Sequence, residues 1–152
     1  MIRSLNEQIH MLERQISQQM RFNTAFQMLL TVDGVGPTLG LTIALETGDI
    51  TRFPTVGRYA SYCRCVNSQR LSNGKAKGQN NTRNGNKYLG WAFVELAHSI
   101  IRHNKTAHRF YQRKRAQRNG ALATKALAHK MARACYYVMR DEVPFDQTKL
   151  FA

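Results

Sequence analysis

Apolar residues in the first part of the chain recur with a helical period. Isoleucine and leucine follow one another at steps of three and four: Ile2, Leu5, Ile9, Leu12 and Ile16. Glutamine and arginine fill the other faces, so the pattern predicts an amphipathic helix with a coiled-coil seam. An isolated helix with so few heptads is marginal in water. We therefore expect residues 1–28 to form a coiled-coil stem that pairs with a second copy or with another helix. The alternative is a helix folded onto its own domain.

Two stronger helical patterns lie in the second half of the chain. Within residues 85–104 one face is apolar: Leu89, Ala92, Phe93, Leu96 and Ile100. Residues 121–140 carry a similar stripe, and there is little β signal. Trp91 lies off the first stripe and is a candidate for base stacking, although core packing is the expected role. The patterns predict an all-α protein: the N-terminal coiled-coil helix, a compact helical domain over 29–140 and an extended tail over 141–152.

Residues 29–48 combine a short apolar run with a glycine-rich turn and a second helix. Gly34 and Gly36 lie in the turn, and Pro37 is placed to open the helix. This order is typical of a helix-hairpin-helix, in which the glycine N–H groups and the helix N-terminus hold a phosphate. A Gly-x-Gly pattern also occurs where the chain only turns. In so basic a chain we expect Gly34 and Gly36 to contact nucleic acid.

The stretch 66–88 is basic and rich in glycine and asparagine, and it has no long apolar run to bury. Such a loop suits a polyanion because its cations and exposed N–H groups bind phosphate. It also carries two hydroxyls, Ser68 and Ser72. The alternative is a solvated flexible loop. The candidate phosphate ligands are the cations of the stretch: Arg70, Lys75, Lys77, Arg83 and Lys87.

Charge supports a polyanionic partner. The 152 residues have a formal net charge of +14 and a pI near 10.4. No acidic residue occurs between Asp49 and Glu95, nor between Glu95 and Asp141. Nucleic acid is the leading partner and an anionic membrane surface the second. A third interpretation is a helical interaction protein whose charge serves solubility. Neither a membrane-spanning segment nor a signal peptide is visible, so we expect no membrane partner.

Cysteine and acid placement argue against a metal site. The odd cysteine count, without a secretion signal, suggests reduced thiols in a cytoplasm, and Cys63-Arg64-Cys65 lacks zinc-knuckle spacing. The nine acids are scattered, so a self-contained two-metal nuclease is not expected. Attack by a serine on phosphorus remains open. Ser72 lies beside Arg70 and Lys75, with Ser68 the competitor, although a serine in such a loop is more often a turn residue.

Several blocks together carry a family resemblance. They are Val32-Asp33-Gly34-Val35-Gly36-Pro37, Gly48-Asp49-Ile50, Arg52-Phe53, Tyr62-Cys63-Arg64-Cys65-Val66, Ser72-Asn73-Gly74-Lys75 and Asn84-Gly85-Asn86-Lys87-Tyr88-Leu89. Over roughly residues 28–140 the chain resembles the C-terminal transposase domain of the insertion-sequence-110/1111 family. Many members read Ser-Gly where this chain has Ser72-Asn73, and proline where it has Asn67. These departures leave Ser72 and Ser68 both open as the serine concerned.

The resemblance implies an RNA-guided DNA transposase or recombinase. In that family a serine nucleophile links covalently to DNA, which places this role at Ser72. A structured bridge RNA pairs with donor and target DNA. A ribonuclease-H-like domain with four acidic metal ligands precedes the coiled-coil helices, so Mg²⁺ is expected only there and no cofactor in this chain.

The acidic domain does not occur among these 152 residues, so a truncated reading frame or an excised fragment is expected. We expect the chain to dimerise through its stem and to be inactive alone, needing the acidic domain in trans. Its expected location is the bacterial cytoplasm, on the nucleoid. The alternative is a non-catalytic helix-hairpin-helix module that binds DNA or RNA.

Overall fold

The computed structural model describes residues 1–67, 69–79 and 83–151. Within these ranges the chain is built of helices, which confirms the predicted all-α class. The helices are α1 (Ile2–Met20), α2 (Thr24–Leu29), α3 (Pro37–Thr47), α4 (Val56–Tyr62), α5 (Lys87–His103), α6 (Lys105–Gln117), α7 (Gly120–Asp141) and α8 (Gln147–Leu150), with a 3₁₀ turn at Ile50–Arg52. One feature was not predicted: the basic stretch contains two short strands, β1 (Gln69–Ser72) and β2 (Lys75–Gln79).

The core is organised around α7, against which α2, α4, α5 and α6 pack. Its apolar stripe, including Leu127, Met131 and Cys135, is fully buried. The predicted stripe of α5 is buried as well, and Phe93 lies at its centre. Both helices follow the 3.6-residue period, so one face of each is removed from water while the other stays charged.

Asparagine side chains begin four of these helices. Asn23, Asn86, Asn104 and Asn119 each place a side-chain oxygen on the free N–H groups of the first turn. An N-cap of this kind contributes about 1 kcal/mol, because the first N–H groups of a helix have no partner within it. The first residues of α5, α6 and α7 are therefore set by the local sequence.

The predicted stem is divided into two helices. Asn23 accepts a hydrogen bond from the backbone N–H of Phe26 at 2.9 Å, so the chain turns after Met20 and α2 joins the core. None of the residues of α1 is buried, and its apolar seam stays 37–76% exposed. The helix borders α3. Pairing of α1 as a coiled coil stays a prediction.

The C-terminal residues, predicted to be extended, fold back onto the domain. The backbone N–H of Phe145 donates to Thr31 Oγ1 at 2.8 Å, and Leu150 in α8 is buried. Trp91 was expected in the core, but its side chain is 50% exposed. Its indole lines a surface groove with Leu45 and Tyr88. No helix in the described ranges is long and apolar enough to cross a membrane.

Candidate nucleic-acid interface

The basic stretch forms an antiparallel hairpin whose turn is Asn73-Gly74. Ser72 pairs with Lys75, and Leu71 with Ala76. Asn73 has φ 52° and Gly74 φ 73°, so both turn residues are left-handed. A two-residue turn of this kind matches the twist of the strands, and Asn-Gly is its preferred sequence. The Ser-Asn-Gly-Lys block is therefore the tip of a hairpin.

Ser72 is the last residue of β1 and is half-buried beside the turn. Lys75 lies opposite, and alternation along β2 places Lys77 on the same face. Both lysines are exposed. The hydroxyl thus shares one face of the hairpin with two ammonium groups. The hairpin supplies no general base, because the sequence between Asp49 and Glu95 has no acid and no histidine.

The base of the hairpin is fixed by Gly85. This glycine has φ +92°, and a Cβ built on it would lie well inside 3.0 Å of the Tyr62 carbonyl oxygen. Its neighbour Asn86 donates its backbone N–H to that same oxygen at 2.7 Å. Arg64 closes the other side, since its guanidinium donates to the carbonyl oxygens of Arg83 and Gly85. These contacts hold residues 83–86 against the end of α4.

Asn86 joins this base to two helices. Its Oδ1 accepts from the N–H groups of Tyr88 and Leu89, at 2.8 and 3.0 Å, and so begins α5. Its Nδ2 donates to Glu46 Oε2 at 2.7 Å, which ties the start of α5 to the end of α3. Hydrogen bonding to Asn86, and then to Arg52, lowers the pKa of Tyr62. The Asn84-Gly85-Asn86 block therefore anchors the start of α5 to α3 and to the end of α4.

Aromatic rings pack together where α4 meets the 3₁₀ turn, close to the hairpin base. The Phe53 ring lies 5.1 Å from that of Tyr59 and 5.2 Å from that of Tyr62, measured between centroids. The Arg52 guanidinium covers Phe53 at 4.6 Å and Tyr62 at 4.9 Å. Contacts of this type restrict both rings and the cation. The end of α4, which precedes the hairpin in the chain, is therefore packed against the 3₁₀ turn.

The nearby thiols are structural. Cys63 and Cys65 are both buried. Burial raises the pKa of Cys65 to about 12 and that of Cys63 further still, so both stay protonated at neutral pH. A protonated buried thiol is a poor nucleophile and a poor metal ligand. Among the described residues, no three His, Cys, Asp or Glu side chains are grouped to hold a metal ion.

The remaining predicted cations lie at or near the hairpin base. Lys87 is the first residue of α5, and its ammonium group lies 4.9 Å from the centre of the Tyr88 ring. Arg83 is exposed beside the Arg64 contact. Arg70 belongs to β1, but its side chain lies outside the described part, as does the whole of Ser68.

The two predicted turn glycines lie at the far end of α5. A Cβ on Gly34 (φ +85°) would lie 3.0 Å from Ser99 Oγ and 3.1 Å from the Ile100 nitrogen, so glycine permits close packing there. From Lys87 to Ile100 the helix rises about 20 Å. Gly36 is exposed and begins α3. The structure therefore does not bring these glycines together with the hairpin, and the helix-hairpin-helix interpretation stays a prediction.

The turn between α2 and α3 is also tied to the core by its acid. Asp33 accepts a hydrogen bond from Asn104 Nδ2 at 2.9 Å, and Gln147 Oε1 accepts from the same nitrogen at 2.8 Å. Asn104 is 4% exposed and begins α6. Asp33 thus has a structural role that explains an acid beside the glycines.

Sequence reasoning missed Arg64 as a site residue. Its left-handed φ of 56° and its two carbonyl contacts make it the clamp of the hairpin. Arg64 lies between two cysteines, a position that indicates possible metal binding rather than a contact with the hairpin. A signal was available, because Arg64 lies in one of the family-like blocks together with Tyr62.

The helical core presents a cationic hairpin with a serine beside its turn, an arrangement suited to a phosphate-bearing ligand. Comparison with known families makes the class specific. A family model described as "Transposase IS116/IS110/IS902 family" matches residues 26–112, which run from α2 through the hairpin into α6. The chain belongs to this transposase family, and the predicted resemblance is confirmed.

Curated relatives agree with this assignment. The chain is 30% identical over 145 residues to a "Probable family 20 transposase" of Pseudomonas aeruginosa, covering 93% of this chain and 43% of the relative. It is 27% identical over 141 residues to the "Insertion element IS110 uncharacterized 43.6 kDa protein" of Streptomyces coelicolor, covering 91% and 34%. An IS116 protein of Streptomyces clavuligerus is 25% identical over 142 residues, covering 91% and 35%. The chain thus spans less than half the length of these relatives.

Proposed function

We propose that this chain is the DNA-strand-transfer module of an insertion-sequence transposase, with Ser72 as the nucleophile. The observation that carries the proposal is the position of Ser72 at the hairpin tip, on the face that bears Lys75 and Lys77. A nucleophile for phosphoryl transfer needs cations that hold the phosphate and neutralise charge in the transition state. The hairpin carries the candidate nucleophile and the cations within one small element.

In the proposed reaction the Ser72 Oγ bonds to a backbone phosphorus. The phosphorus–oxygen bond to one deoxyribose breaks, that oxygen takes a proton, and the serine proton passes to a base. A strand hydroxyl then attacks the phosphoserine diester and releases Ser72. Lys75, Lys77 and Lys87 would hold the phosphate, with Arg70 and Arg83 extending the basic surface.

The absence of a base in the hairpin sequence sets a requirement. We propose that acidic groups of a ribonuclease-H-like domain, supplied in trans, act beside Ser72 and would hold Mg²⁺ there. Gly34 and Gly36 would contact nucleic acid separately, at the other end of α5. The exposed seam of α1 would pair with a second copy. Donor DNA, target DNA and a structured guide RNA are the proposed partners, bound on the nucleoid in the bacterial cytoplasm.

Mapping the covalent adduct tests the proposal. This chain would be mixed with a family member that has the acidic domain, its guide RNA and end-labelled element DNA, and then denatured. We expect an adduct whose digested peptide carries the DNA remnant on Ser72. A remnant on Ser68 would move the nucleophile. No adduct on this chain, with salt-sensitive binding retained, would instead support a non-catalytic binding module. The observation that favours this alternative is the lack of a general base in the hairpin.

The hairpin lysines should account for part of the DNA affinity. In the double variant Lys75→Gln/Lys77→Gln we expect the slope of log Kd against log salt to fall by about 2, because each phosphate contact contributes about 0.9. Fluorescence anisotropy over a salt series measures this slope.

The matched control is Arg3→Gln/Arg14→Gln, which removes two exposed cations from α1. It changes net charge equally and should leave the slope within about 0.5 of the parent value. Equal losses in both variants would show that total charge, not the hairpin, determines binding.

A further inference from the structure

A second group of cations lies on α6 and α7, whereas the hairpin extends between α4 and α5. Three of them surround the buried Phe110 ring: the charged groups of Arg113, Lys114 and Lys130 lie 5.7, 5.9 and 5.5 Å from its centroid. Arg133 follows Lys130 by one helical turn and is exposed. We call these four residues the α6–α7 cluster.

No carboxylate pairs with the cluster in the part of the chain that the structure describes. The ion pairs found there join His10 to Glu13 and Arg140 to Asp141. Lys130 Nζ instead donates to the Leu150 carbonyl oxygen at 3.0 Å. Burial, followed by the charges of Arg133, Arg113 and Lys114, lowers the pKa of Lys130, in keeping with its position among these three cations.

The cluster continues into a hollow between α7 and the C-terminal residues. Lys130 and Arg133 line it together with Lys149. The acids at its rim already have partners: Asp141 binds Arg140, and Asp146 accepts from the Thr148 hydroxyl at 2.6 Å. The hollow is therefore lined by three cations and two carboxylates, of which Asp141 is paired with Arg140, while Arg113 and Lys114 lie beside Lys130 around the Phe110 ring.

We propose that the α6–α7 cluster binds the phosphate backbone of a second nucleic-acid segment, while the hairpin holds the segment that reacts. Arginine and lysine together suit phosphate, since the guanidinium donates in a fork and the ammonium acts as a compact charge. Phe110 itself is only 9% exposed, so the cluster presents its cations rather than an aromatic face, while Tyr137 in the adjoining hollow is 38% exposed. Neighbouring cations without a paired carboxylate match the regularly spaced negative charges of a nucleic-acid backbone, which is therefore favoured over an acidic protein.

This inference rests on the proposed function in taking nucleic acid as the substrate, but it does not require Ser72 to react. The test compares Arg113→Gln/Lys114→Gln with the Arg3→Gln/Arg14→Gln control in the full chain. Labelled duplex DNA, single-stranded DNA and a hairpin RNA are each titrated by anisotropy over a salt series. We expect the log–log salt slope to fall by about 2 for at least one ligand, with the control near the parent.

The ligand affected identifies the segment: loss for RNA alone assigns the cluster to guide RNA, and loss for duplex alone assigns it to DNA. Combining the pair with Lys75→Gln/Lys77→Gln should add the two losses in log Kd, since separate sites act independently. A slope equal to the control, in protein with unchanged circular dichroism, would overturn the inference. If the hairpin lysines still mattered in that case, the proposed function would stand without it. The inference would also be overturned if Arg113→Gln/Lys114→Gln bound all three nucleic acids like the control but bound the acidic domain of a family member less tightly.

Discussion

Ser72→Ala should abolish covalent attachment of DNA to this chain and lower strand transfer by roughly a thousandfold or more, as loss of a nucleophile does in other enzymes. DNA affinity should change less than about twofold, because the substitution removes no cation and leaves the electrostatic contribution to binding unchanged. The turn does not depend on Ser72, since Asn73 and Gly74 supply both left-handed residues. Adduct yield on denaturing gels and anisotropy on the same samples measure the two quantities.

Two other serines act as controls for this experiment. Ser61 is exposed on α4 near the hairpin base, and Ser61→Ala should leave adduct yield unchanged. Ser68→Ala tests the competing nucleophile and should also retain the adduct. If Ser72→Ala retained strand transfer, Ser72 would be a turn residue only. If it lost binding in parallel with chemistry, its role would be to shape the hairpin.

Gly85→Ala should lower the free energy of unfolding by roughly 2–4 kcal/mol, a large effect for one methyl group. The new Cβ would overlap the Tyr62 carbonyl oxygen and lie 3.1 Å from the Tyr62 carbonyl carbon, and backbone atoms cannot rotate away. The left-handed φ adds strain for any L side chain. Relief would break the 2.7 Å hydrogen bond from Asn86 and disturb the start of α5. Urea unfolding followed by circular dichroism measures the loss.

Gly57→Ala is the matched control. Gly57 is exposed in α4, and its new Cβ would meet only Thr55 Oγ1 at 3.9 Å. Alanine should be neutral there or stabilise by up to about 1 kcal/mol through helix propensity. A Gly85→Ala protein as stable as the parent would mean that the hairpin base relaxes freely, so the hairpin would not be rigidly placed.

Much of the helical architecture could be predicted because its causes are local. The apolar stripes of α5 and α7 follow the helical period, and asparagine caps begin the helices of the second half. The hairpin was not predicted, although Asn73-Gly74 is a strong turn signal, because the strands carry lysine and glycine rather than β-branched residues. Trp91 was assigned to the core because an aromatic residue on a helix usually packs, and its exposure depends on which neighbours α5 meets.

The helical class, the basic character of the surface and the family follow from the amino-acid sequence, because composition, periodicity and motif blocks can be recognised without coordinates. How the candidate residues are grouped emerges from the packing of the helices. This packing separates Gly34 from the hairpin by the length of α5, joins Arg64 and Gly85 at the hairpin base, and collects distant cations around Phe110. These relations depend on contacts between residues far apart in the chain, whose spacing is set by how the helices pack and not by any local pattern.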